Sequence, residues 1–162
     1  MPHNPAWRPM RDADLPVVQA LADALHPHHP ESPAVFAERL ALAPAGCRVL
    51  ADAAGIGGYA VTHPWTGAGP PPLDALLGAL PAAPAAWHVH DIALHPRLRG
   101  QGHASTVLQA LLAASPWRRA TLVAVSGTGP YWAARGFADA PAHPAAALAS
   151  YGAAARFMVR EG

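Results

Sequence analysis

Residues 91–105, DIALHPRLRGQGHAS, constrain the fold more than any other stretch of the chain. An apolar run of strand character ends at a proline, passes two arginines and two glycines, and becomes a helical pattern. A strand that feeds a helix and then a second apolar strand forms a crossover unit, and such units are right-handed almost without exception. The chain must therefore hold at least one pair of parallel strands. The turn also raises a question of chemistry. A helix begins with unpaired N–H groups and the positive end of its dipole. Gly100 and Gly102 keep side chains off the backbone there, Ala104 is small, and Arg97 and Arg99 add positive charge. That set suits a phosphate or diphosphate. On these residues alone, an ordinary glycine-containing turn with solvated arginines fits equally well.

Two familiar phosphate loops do not match. The run reads G-x-G-x-x-S, and no Asp or Glu lies near position 120 to hold a ribose. No Gly-Lys-Ser/Thr occurs anywhere. The formal net charge is +1, which argues against a nucleic-acid footprint or a polybasic membrane surface. The single cysteine, Cys47, excludes an internal disulfide and reads as a small buried apolar residue. No apolar run free of proline and charge reaches about 18 residues, and residues 1–14 carry no leader pattern. The expectation is one cytoplasmic domain, residues 1–162, that does not engage a membrane.

Around the crossover the elements read in the order β α α β β β α β α β. Residues 6–10 read as a strand. Residues 12–25 read as a helix, with Asp12 or Asp14 as cap and Leu15, Val18, Leu21, Ala22 and Leu25 on one face. Residues 32–42 form a second helix capped by Ser32, with Pro33 at its first position. Residues 47–65 read as a hairpin, with GIGGYA (55–60) as its turn and bulge. A Pro-rich insert, 66–86, reads as a surface connection or as a lid over the acceptor side, with one helical turn set at 73–80. Then come a strand at 87–95, a helix at 102–115 and a strand at 119–126 apolar enough to be buried on both faces. A short helix at 129–137 ends on Gly136, and a last strand spans 155–161. One more strand fits near 137–140. The class is a mixed α/β sheet.

LHPRLRGQGHA (94–104) resembles the Arg/Gln-x-x-Gly-x-Gly/Ala signature of the GCN5-related N-acetyltransferases, with Arg99, Gly102 and Ala104 in the signature positions. Arg97, Gly100 and Gly102 fit the same pattern in an earlier register. GPYWAARGF (129–137) is similar to the family's short helix ending in Gly-Phe, and WHVHDIAL (87–94) stands where its central strand does. The resemblance spans 87–137, with a looser match in the tail. It implies a mixed, mostly antiparallel twisted sheet of six to seven strands, flanked by about four helices, with splayed central strands. It implies acetyl-coenzyme A as co-substrate and direct transfer of the acetyl group to a primary amine of a small molecule or peptide; no metal is expected. The backbone of Arg99, Gly100, Gln101, Gly102, His103, Ala104 and Ser105 would wrap the diphosphate, helped by Arg97. The backbone of Ile92, Ala93 and Leu94 would pair with the pantetheine arm. The N–H of Ala93 or Leu94 would be the oxyanion donor, a large contribution in acyl transfer. The fold admits a homodimer, although no residue argues for one.

Two proton transfers remain. Strand alternation sets His88 and His90 on one face and Asp91 on the other. Asp91 and His90 are both candidates for the base. The family's acid is often a Tyr four residues before the Gly of Gly-Phe. That position holds Trp132, which cannot protonate a thiolate, so the adjacent Tyr131 is the candidate acid and Trp132 an apolar wall for the coenzyme arm. Ser126 stands near a family coenzyme contact. HPHHP (26–30) lacks the geometry of a metal site and reads as a loop; it lies where the resemblance implies an acceptor pocket, which His28, His29 and Glu31 would then line. VSGTG (125–129) is not a nucleophile elbow, because Ala124 replaces the first glycine. A coenzyme-binding module without turnover is the competing reading.

Overall fold

The computed structural model describes residues 4–162; residues 1–3, part of the segment read above for a leader pattern, lie outside the described residues. Seven strands form one sheet: β1 (Ala6–Pro9), β2 (Cys47–Asp52), β3 (Gly55–Trp65), β4 (Ala86–Leu94), β5 (Arg119–Ala124), β6 (Ala138–Asp139) and β7 (Arg156–Glu161). Their spatial order is β1-β2-β3-β4-β5-β7-β6. Every neighbouring pair is antiparallel except β4 and β5, the pair joined through the crossover helix. The helices are α1 (Leu15–Leu25), α2 (Pro33–Leu42), α3 (His103–Ala114), α4 (Gly129–Ala133) and α5 (Ala145–Ala149). This is the mixed, mostly antiparallel sheet expected from the sequence.

The sheet is covered on both faces. On one, Val18 and Ala22 of α1 and Phe36 and Leu40 of α2 pack on Tyr59, Val61 and Ala93. On the other, Val107 and Leu111 of α3 pack on Ala60, with Ile92 beside them, and Leu108 packs with Val89, Leu122 and Met158. Residues 59, 60 and 61 thus alternate between the two layers, as a pleated strand requires. Burying each of these larger side chains contributes roughly 1.5–3 kcal/mol.

Four assignments depart from the sequence reading. Residues 73–80 are not helical, because their backbone groups bond to α2 instead of to one another. Arg39 donates to the Ala75 carbonyl, and Glu38 accepts from the N–H groups of Leu77 and Gly78. The insert is therefore strapped along α2 and not a loose connection. A fifth helix, α5, follows Pro144 in an alanine-rich stretch with no apolar stripe to announce it. Asp14 does not cap α1. Its carboxylate accepts from the Arg11 N–H and from both ends of the Arg8 guanidinium, and that pairing holds its pKa below the ordinary carboxylate range. Ser32 occupies the N-cap position of α2 without a side-chain hydrogen bond. No helix among the described residues is long and apolar enough to cross a membrane.

Candidate active site

The turn between β4 and α3 is built from a short 3-10 segment, Pro96–Leu98, and two glycines. Gly100 (φ 75°) and Gly102 (φ 82°) occupy the left-handed region, which costs a side-chain-bearing residue roughly 1–2 kcal/mol. A Cβ at either would meet nothing within 4 Å, so their surroundings are open. The turn is seated on β3 at Gly57, where a Cβ would collide with Leu98 and the Arg97 guanidinium. Among the described residues none accepts from the N–H groups of Gly100, Gln101, Gly102, His103, Ala104 or Ser105. Six successive donors are thus free at the positive end of α3.

The two arginines differ. Arg97 is paired with Asp52 at 2.7 Å, and that pairing holds the Asp52 carboxyl below its usual range. The positive charge expected of Arg97 is offset by this partner, which comes from the β2–β3 turn. Arg99 is exposed and donates its Nε to the Leu94 carbonyl, 3.1 Å away. Its remaining guanidinium nitrogens have no partner among the described residues. Ala104 is half-buried against Leu50, Leu94 and Leu98, so it packs the helix onto the sheet.

β4 and β5 pair only at Trp87–Ala120, His88–Thr121 and Val89–Leu122. Past Val89 they part. β4 stays paired with β3 as far as Leu94, and His95 donates to Gly57 across that ladder. Alternation then points the Ala93 and Asp91 N–H groups toward β3 and those of Ile92 and Leu94 into the gap. Of the two donors named from sequence, Ala93 is turned away from the gap and Leu94 faces it.

The β3–β4 register slips between Val61 and Thr62. Val61 faces Asp91, Thr62 faces Val89, and His90 is the extra residue. This bulge breaks the alternation. His90 lies edge-on to Phe36 of α2 and Asp91 bonds Tyr59, which packs in the same layer. The expectation that Asp91 faces away from His88 and His90 is therefore corrected: all three lie on the face under α1 and α2.

A cleft opens where the strands part. Val89, Ile92, Leu122, Val123, Val125 and Trp132 form its apolar side. Its polar side holds His26, His29, Glu31, His90, Asp91 and Tyr151, with Leu73 and Thr128 at the rim. Asp91 accepts from His26 Nε2 (3.0 Å) and from the Tyr59 hydroxyl (2.5 Å). The bond to Asp91 raises the His26 pKa above 6.5, while burial carries the Tyr59 hydroxyl far above its ordinary value. His90 Nε2 lies 2.6 Å from Glu31, whose other oxygen accepts from the Asp74 N–H of the insert. Tyr151 donates to the Pro71 carbonyl and His29 contacts the Tyr151 carbonyl, so the insert and the tail close the cleft together.

Of the sequence candidates, Asp91, His90, Ile92, Trp132, His29 and Glu31 line this cleft; His28, Ser126 and Tyr131 do not. Tyr131 is exposed, edge-on to Trp132, with the Arg135 guanidinium over its ring at 3.6 Å. Ser126 is exposed in the left-handed region at φ 54°. His26, bonded to Asp91, carries no role in the sequence reading. It sits in HPHHP, whose neighbouring histidines drew attention instead, and no local spacing links it to residue 91.

A family model described as "Acetyltransferase (GNAT) family" matches residues 13–130. A search of curated proteins finds no match. Among solved structures, Ard1 from Thermoplasma volcanium superposes with TM-score 0.73 at 15% identity, covering 97% of each chain. N-acetylglutamate synthase from Neisseria gonorrhoeae, complexed with coenzyme A and N-acetyl-glutamate, gives 0.73 at 16% identity, with 98% of this chain and 35% of that one covered. Arabidopsis thaliana Naa50 with the bisubstrate analogue CoA-Ac-MVNAL gives 0.70 at 12% identity, with 98% and 99% covered. At these identities the likeness is one of fold.

Proposed function

The chain belongs to the acetyltransferase (GNAT) family, and from that premise we propose that it transfers an acetyl group from acetyl-coenzyme A directly to the primary amine of a small molecule or peptide. The observation that carries this reading is the run of six free amides, Gly100 to Ser105, set at the head of α3 beside the point where β4 and β5 part. Free donors and a helix dipole suit a diphosphate. Arg99 adds the available charge. The gap between the strands supplies what an amide-bearing arm needs, the unpaired N–H groups of Ile92 and Leu94. Coenzyme-bound neighbours of the same fold support the same ligand class.

In this reading Leu94 donates its N–H to the thioester oxygen, where negative charge grows during attack. A donor already fixed in place costs no reorganisation at that moment. Trp132, Leu122 and Val123 wall the gap and exclude water. Asp91 and Glu31 draw a cationic amine into the polar side of the cleft. His26 removes the ammonium proton, directly or through water, and Asp91 is the positioning carboxylate that fixes its ring, aided by Tyr59. His90 is held by Glu31 with a side chain only 1% exposed, and so shapes the site from beneath. Solvent or the protonated His26 returns a proton to the thiolate, because Tyr131 lies outside the cleft.

Thiol release from acetyl-coenzyme A across a panel of amines, amino acids and peptide N-termini tests this, beside calorimetry with coenzyme A. Turnover with at least one amine supports the proposal. Tight binding with no turnover across the panel would favour a coenzyme-binding module. Tighter binding of ATP than of coenzyme A would refute the assignment.

A further inference from the structure

We infer that His63, His88 and His90 form an internal site for one divalent transition-metal ion of the zinc type, beneath the polar side of the cleft. His63 on β3 faces His88 directly across the ladder, and the bulge brings His90 onto the same side. One ring nitrogen of each residue lies within 4.8 Å of one from each of the others. The ring centroids of His63 and His88 are 5.3 Å apart.

The hydrogen bonds sort the nitrogens. His63 Nδ1 lies 2.8 Å from the Pro64 carbonyl, so Nδ1 carries the proton and Nε2 keeps its lone pair. His63 Nε2 is buried with no partner. His88 Nδ1 lies 2.8 Å from Thr121 Oγ1, leaving its Nε2 over. His90 Nε2 lies 2.6 Å from Glu31, and its Nδ1 is buried with no partner. Each imidazole thus has one nitrogen bonded to an oxygen of the protein and one left over. Metal-binding histidines carry that arrangement, with an oxygen partner on the far nitrogen fixing the tautomer and orienting the ring. A buried polar nitrogen without a partner is otherwise destabilising.

Three imidazoles suit zinc and its neighbours, with one position open to water. Burial already holds His63 and His88 uncharged near neutral pH, so their lone pairs are available. Zn–N bonds of about 2.0–2.1 Å place tetrahedral donors roughly 3.3 Å apart, so nitrogens lying within 4.8 Å of one another need to draw in by at most about 1.5 Å. Arg39, whose charge acts on His63 and His88, is paired with Glu38 at 3.0 Å and with the Ala75 carbonyl. His90 also lines the cleft, so the triad lies directly against it. The sequence expectation of no metal weighed only HPHHP; the triad comes from two strands, and its members are 25 and 2 residues apart, a spacing that carries no local signature.

Chelator-stripped protein titrated with Zn²⁺ in a calorimeter, and with Co²⁺ followed by visible absorption, tests the site. One equivalent should bind, with the intense d–d bands of a four-coordinate Co²⁺ ion, and Zn²⁺ should raise the melting temperature. His63→Ala should lose stoichiometric binding, whereas His28→Ala/His29→Ala should keep it. Nitrogen-15 NMR of the wild type needs no variant: Zn²⁺ should shift Nε2 of His63 and His88 and Nδ1 of His90. No stoichiometric binding by the folded wild type, or binding that leaves those three nitrogens unmoved, would overturn the inference. Acetyl transfer by metal-free protein leaves the proposed function standing whichever result is obtained.

Discussion

Acidifying the metal-free protein, with chelator present, tests the buried histidines beneath the cleft. His63 has no exposed surface, and burial lowers its pKa from 6.5 to about 3. In the unfolded chain the ring returns to about 6.5. The folded state therefore binds fewer protons, so His63's contribution to stability is complete above about pH 6.5 and is lost progressively as pH falls toward 3. One pH unit in that window is worth about 1.4 kcal/mol, so at about pH 5 His63 alone removes about 2 kcal/mol. His88, wholly buried and also held down by desolvation, acts in the same direction. Urea unfolding followed by tryptophan fluorescence at about pH 7.5 and about pH 5 measures the loss, since 2 kcal/mol moves the midpoint by roughly 1 M. The wild type should lose about 2 kcal/mol more between the two pH values than His63→Phe does. Equal losses would mean that the folded protein protonates His63 as readily as the unfolded chain, and the reasoning would fail.

Asp91→Asn removes the group that raises the His26 pKa. Turnover should fall by roughly 100-fold, and the acid limb of the pH–rate profile, set above 6.5 in the wild type, should move down; unchanged kcat would remove this pair from the mechanism. Arg99→Ala should weaken coenzyme A binding several-fold more than Arg97→Ala, because Asp52 already holds Arg97; the reverse order in calorimetry would contradict the assignment of charge. Tyr131→Phe should leave kcat unchanged, since its ring lies against Arg135; a large fall in thiol release would make Tyr131 the acid.

Much of the fold was legible because its strongest signals are local. The hand-over from β4 to α3 needs glycine at two positive-φ positions, and the buried strand β5 shows as an almost wholly apolar run. The candidate site was only half legible. Free donors at the head of α3 follow from helix geometry, whereas the set 99–105 came from the family resemblance; of that set Gly100 to Ser105 are free and the Arg99 N–H instead bonds the Pro96 carbonyl. The polar side of the cleft depends on a bulge that adds one residue at His90, and no sequence pattern at 87–94 announces it. Alternation therefore set Asp91 on the wrong face. His26 and Asp91 are 65 residues apart and meet only because α1 ends over β4. The insert looked like a loose proline-rich loop because its partners, Glu31, Glu38 and Arg39, lie on and beside α2, outside any window around 73–80. Tyr131 and Trp132 are neighbours on one short helix, and the position that faces the cleft went to the tryptophan.

Amide NMR of labelled wild-type protein titrated with coenzyme A is the most direct measurement. The N–H resonances of Gly100 to Ser105 should shift and saturate together with those of Ile92 and Leu94, while those of Ala113 and Ala114 at the far end of α3 stay in place. Saturable binding that leaves residues 100–105 unmoved, or no binding at all by the folded protein, would contradict the account.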